Sequence, residues 1–87
     1  MEADVVHDAL ALAEGASTVR EAAQLLRAHY DQLRIVVVDA FDMRDETPAA
    51  QGAARAIWYG ASDGHCWQVT SDPGLAAGFF VADRSRP

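Results

Sequence analysis

Residues 54–70 read Ala-Arg-Ala-Ile-Trp-Tyr-Gly-Ala-Ser-Asp-Gly-His-Cys-Trp-Gln-Val-Thr. Two runs rich in β-branched and aromatic residues, 54–61 and 65–70, flank the dipeptide Asp63-Gly64. Asp-Gly between such runs is a strong hairpin signal, because a type I′ turn needs positive φ at both central residues. With Asp63-Gly64 as a two-residue turn, Gly60 faces Trp67, Trp58 faces Val69, Tyr59 faces Gln68 and Ala61 faces Cys66. One face of the hairpin then carries Trp58, Trp67 and Val69, with Gly60 leaving room for the Trp67 ring. The opposite face carries Ile57, Tyr59, Cys66, Gln68 and Thr70. The tryptophan face is the better core face, and the expectation is that its indoles pack against the N-terminal helices.

Upstream, the pattern is helical. Val5, Val6, Ala9, Leu10, Leu12 and Ala13 form a stripe over 3–14, with Glu2 and Asp4 where the helix dipole favours acids. Gly15 ends that helix. Thr18 caps a second one, and Glu21, three residues on, completes a capping box. Val19, Ala22, Ala23, Leu26 and Tyr30 carry its apolar face to about residue 33. The short link makes the two a helical hairpin. Residues 34–41 are β-branched with no polar alternation, which predicts a strand covered on both faces. Residues 42–52, with Asp42, Asp45, Glu46, Pro48 and Gly52, predict a long loop. Downstream, Asp72 as N-cap, Pro73 at the first position and Gly78 as stop outline a short helix over 72–78. A last strand follows over 79–83, and 85–87 are expected to fray. The expected fold is a single α+β domain over 1–87: an N-terminal helical hairpin packed on a three- or four-stranded, mainly antiparallel sheet.

Bulk composition narrows the function. The chain has 87 residues, seven Arg and no Lys, and 13 acidic side chains, for a formal charge of −6. Half of it is hydrophobic, but 18 residues are Ala. The large core candidates are therefore few: Trp58, Trp67, Phe79, Phe80, Phe41 and the run of Ile35, Val36, Val37 and Val38. A chain this short buries only about 60–65% of its unfolded surface, so a homodimer would usefully extend the core. The size argues against a multidomain enzyme. The charge argues against nucleic acid, because the arginines are scattered and form no basic run. Residues 18–26 look like the first helix of a helix-turn-helix, but β-rich sequence stands where a recognition helix belongs. Acid excess suits a basic patch on a protein partner. The single Cys66 excludes an intrachain disulfide and suits a reducing compartment. No apolar stretch approaches the ~20 residues of a membrane span. The acidic start Met1-Glu2-Ala3-Asp4 is unlike a signal peptide, so a cytoplasmic location without membrane contact is expected.

Two groups of residues are candidates for a site. His65 and Cys66 are potential metal ligands, for zinc or iron, and Cys beside His can also act as a nucleophile. Neighbours on a strand point to opposite faces, so the pair cannot hold one ion without a bulge; His7 or His29 would have to join them. Packing is the simpler role for a lone cysteine. The second group is the acidic loop with Asp42, Arg44, Asp45 and Glu46, read as a partner-binding edge because long loops carry function. Its spacing matches no EF-hand. Glycine-rich phosphate loops, His-Glu-x-x-His pairs and nucleophile elbows are missing, so no catalytic residue and no cofactor is assigned.

The stretch His65-Cys66-Trp67-Gln68-Val69-Thr70-Ser71-Asp72, followed by Ala76-Ala77-Gly78-Phe79-Phe80-Val81-Ala82, resembles a small uncharacterised bacterial family associated with nitrogen-fixation gene clusters. In that family a His-Cys-apolar-x-apolar-Thr-x-Asp strand leads into a short Ala-x-Gly segment and an apolar strand. The likeness covers the C-terminal third; the two helices match in pattern only. Trp67 and the Phe79-Phe80 pair stand where the family has smaller aliphatics. The resemblance implies a cytoplasmic, nitrogenase-linked accessory role and supplies no catalytic residues. The function expected is thus a non-catalytic accessory or protein-interaction module with a nitrogenase-related partner, not an enzyme. The alternative is a small metal- or cofactor-binding protein using His65 and Cys66.

Overall fold

The computed structural model describes residues 1–84. Two helices, α1 (Ala3–Gly15) and α2 (Val19–His29), precede five strands: β1 (Arg34–Val37), β2 (Ala50–Gln51), β3 (Arg55–Ser62), β4 (Trp67–Thr70) and β5 (Gly78–Asp83). The fold is α+β, as expected. The expectation for 85–87 lies outside the described residues. Among the described residues, no helix is long and apolar enough to cross a membrane.

Local chemistry sets the helix boundaries. Thr18 Oγ1 accepts from the Glu21 amide at 3.0 Å, while the Glu21 carboxylate accepts from the amide of Ser17 at 3.4 Å. The cap is therefore reciprocal but reaches one residue further back than a standard box. α2 stops at His29, and Tyr30 N–H closes the last turn on Leu26 O at 2.8 Å. The residues to 33, read as helix, form a turn instead, with Leu33 N–H on Tyr30 O.

The sheet is mixed, in the order β1-β5-β3-β2, with β4 paired to the same edge of β3 as β2. β1 runs parallel to β5, pairing Ile35 with Phe79 and Val36 with Phe80. The other pairings are antiparallel. β1 is thus an edge strand that ends at Val37, not a long strand covered on both sides. β3 and β5 occupy the centre, and both are buried along nearly their whole length.

That double burial corrects the facing of the hairpin. The helices cover Ile35, Ile57, Tyr59, Phe79 and Val81, packing Val6, Ala9, Ala13, Ala22, Ala23 and Leu26 against them. Trp58 lies on the other face with Ala56, Phe80 and Ala82, and Trp67 and Val69 pack there too. The indoles are withdrawn from water but point away from the helices. β3 is apolar on both faces, so alternation holds no signal for which face the helices take. The alanines let the helices approach closely, and the branched residues and Phe79 fill the space between the layers.

The turn also differs. Ser62 pairs with Trp67, Ala61 with Gln68, Gly60 with Val69 and Tyr59 with Thr70, leaving a four-residue loop. Of Asp63 and Gly64, only Gly64 has positive φ, at 97°. The Asp63 carboxylate accepts from the amides of His65 at 2.9 Å and Cys66 at 2.7 Å, holding the wider loop without a type I′ turn. Relative to the two-residue turn the register moves by two, so each side chain keeps its face. The predicted helix over 72–78 is only a turn: Leu75 and Ala76 donate to Asp72 O and Pro73 O, and Asp72 Oδ1 accepts from Gly74 N–H at 2.8 Å.

Candidate functional site

The open face of the sheet is closed by residues 39–48. Successive turns build this cover: Asp42 N–H donates to Asp39 O, Met43 to Ala40 O, Arg44 to Phe41 O and Glu46 to Met43 O. Met43 is the plug, buried beside Trp58, Phe80 and Ala82. The Trp58 indole N–H donates to Glu46 O at 3.1 Å and pins the end of the segment to β3. The sequence 42–52, read as one loop, therefore divides into an ordered series of turns and the short strand β2.

This ordering holds Phe41 outside. Phe41 is 65% exposed and does not belong to the core, correcting its place among the core candidates. Its amide donates to Asp39 Oδ1 at 2.7 Å. Arg44 donates to Phe41 O at 2.8 Å, and its guanidinium carbon stands 4.1 Å from the centre of the Phe41 ring. The backbone and one side of the ring are thus fixed while the rest of the ring faces solvent. Asp42, Arg44, Asp45 and Glu46, the residues named for partner contact, are all exposed on this segment. Asp39 and Phe41 join them in the structure. The flanking acids in Asp39-Ala40-Phe41-Asp42 are the only sequence signal that the phenyl ring stays out. Beneath the segment lies a cavity of about 300 Å³, lined in part by Met43, Glu46, Trp58 and Arg84.

His65 and Cys66 sit on the β3–β4 turn, not on a strand, and both are exposed; Cys66 is a free thiol. His7 and His29 are exposed on α1 and α2. Among the described residues, no group of three or more His, Cys, Asp or Glu side chains is placed to hold a metal. The hydrogen bonds from His65 and Cys66 amides hold the Asp63 carboxyl below the usual aspartate range.

Comparison of the chain with protein-family models, with curated proteins and with solved structures finds no match.

Proposed function

We propose that this protein is a non-catalytic accessory module that docks on a protein partner through residues 39–46. The observation that carries this reading is Phe41, a large aromatic 65% exposed on a hydrogen-bonded turn with an arginine stacked on it. Aromatic and arginine side chains supply much of the energy in protein interfaces, and ordering them beforehand lowers the entropy lost on binding. Asp42, Asp45 and Glu46 surround them with negative charge, which suits a partner with an apolar pocket and a basic rim. The resemblance of residues 65–82 to a nitrogen-fixation family makes a nitrogenase-related protein the partner to seek. A pull-down from nitrogen-fixing cells should retain such a protein, and Phe41→Ala should reduce its retention at least ten-fold, about 1.4 kcal/mol. Equal retention by the variant, or recovery of chaperones alone, rejects the docking site.

The competing reading is metal or cofactor binding through His65 and Cys66. Their exposure side by side on the four-residue β3–β4 loop favours it. Metal analysis of untagged protein, with melting curves in added zinc and iron, tests it. A metal-free sample whose melting point ignores both ions removes it.

A further inference from the structure

A second concavity lies between the start of α2 and the chain at 53–55 and 83–84. It measures about 630 Å³, and its lining includes Ser17, Thr18, Arg20, Arg55, Asp83 and Arg84. Three of the seven arginines of a chain with net charge −6 therefore meet at one pocket, although they are scattered through the sequence. We propose that this pocket binds a small molecule bearing a phosphomonoester dianion.

Arg55 is 7% exposed and fixed: Nη1 pairs with Asp83 Oδ1 at 3.1 Å and Nη2 donates to Ala16 O at 3.2 Å. Its Nε is buried without a hydrogen-bond partner among the described residues and is closed to a ligand, so Arg20 and Arg84 supply the donors. Asp83 offsets the charge of Arg55. Arg84 is steadied by donating from Nη1 to Gly52 O at 2.6 Å, which leaves its other guanidinium N–H groups for a ligand. The neighbouring Glu14 and Glu21 carboxylates accept from the backbone amides of Ala54, Arg55 and Ser17 but keep their negative charge, so the site offers donors rather than net charge. The first amides of α2, on Val19 and Arg20, have no acceptor inside the helix and lie at its positive end.

The two arginine forks and the free amides at the start of α2 offer more donors than a single carboxylate fills, and suit the three terminal oxygens of a phosphomonoester. Arginine forks match phosphate oxygens. The acidic chain as a whole repels a polyanion, so the ligand is a small molecule and not a nucleic acid.

Titration of the full chain with ribose 5-phosphate, inorganic phosphate, sulfate and ribose, followed by amide NMR, tests the site. Saturable shifts are expected at Ser17, Thr18, Val19 and Arg20. Ribose 5-phosphate should bind at least ten-fold more tightly than sulfate, and ribose should not bind. The double variant Arg20→Gln, Arg84→Gln should weaken ribose 5-phosphate at least ten-fold, with its remaining spectrum showing that it is folded. Phe41→Ala should leave this binding unchanged, which separates the pocket from the docking surface. Absence of saturable shifts, equal affinity in the double variant, or sulfate binding as tightly as the phosphate ester (an adventitious ion only) overturns the proposal.

Discussion

The Trp67 indole lies against the backbone of Gly60, so close that a Cβ at residue 60 would stand 2.5 Å from Cζ2 and 2.7 Å from Cε2. The two are not paired across the ladder: Gly60 faces Val69, and Trp67 faces Ser62. The ring reaches back diagonally, a distance that aromatic side chains span. There it meets the Phe80 ring at 5.8 Å and the Arg34 guanidinium at 5.1 Å. Gly60→Ala must push this half-buried ring outward. A loss of ~1–3 kcal/mol is expected, as for overpacked sites. Denaturant unfolding measures it, and a shifted tryptophan emission should accompany it. An unchanged midpoint would show that the ring is not held where it lies.

Glu14 stands in the last turn of α1, where the helix dipole disfavours an acid. Its carboxylate accepts from the amides of Ala54 and Arg55, at 3.0 Å and 2.5 Å from Oε2, and so ties the helix to the β2–β3 turn. Gly52 leaves space for it; a Cβ there would come 2.5 Å from the carboxyl carbon. Glu14→Ala should cost ~1–3 kcal/mol, since it removes hydrogen bonds to a charged acceptor. Helix-propensity considerations alone would predict a slight gain from the same substitution. The sign of the change in a melting experiment decides between them.

The bond from Trp58 to Glu46 O makes another prediction. Trp58→Phe keeps an apolar ring at the site but deletes the donor and part of the volume that Met43 packs against. A loss of ~1–3 kcal/mol is expected from the combined cavity and hydrogen-bond effects. Hydrogen exchange should quicken at Met43 and Glu46, whose amides close the turns of the segment. Exchange quickening evenly over the whole sheet, with none specific to the segment, would count against the pin.

Asp63 sets a pH dependence. Its carboxyl is held below the ordinary value of 3.8 because the charged form accepts from His65 and Cys66 amides. A lowered folded-state pKa means that the contribution is present above the unfolded value and is lost as pH falls through the folded one. The amides of His65 and Cys66 should therefore titrate together in NMR spectra, with a midpoint below 3.8. A midpoint at or above that value would refute the capped turn. Asp63→Ala should remove the transition and leave those amides exchanging freely at neutral pH.

Much of the local architecture follows from short-range chemistry. Thr18 and Glu21 mark the start of α2, the apolar period of 3–14 marks α1, and the β-rich runs around Asp63-Gly64 mark the β3–β4 hairpin. Each signal acts over a few residues and survives any tertiary arrangement. The loop that carries Asp42, Arg44, Asp45 and Glu46 was legible for the same reason. The two-residue turn was not correct, because the Asp63 side chain supplies hydrogen bonds that a tight turn would have taken from the backbone.

The chain by itself determined that there would be two helices, a hairpin and a last apolar strand. Tertiary structure alone decided that β1 docks parallel on β5 at the edge, that the helices cover Ile57 and Tyr59 and leave Trp58 to the other side, and that Phe41 stays in solvent. It also gathered Arg20, Arg55 and Arg84 around one pocket. The physical reason is the same in each case. A strand apolar on both sides carries no mark of which layer will cover it, and contacts between residues tens of positions apart depend on how those layers settle.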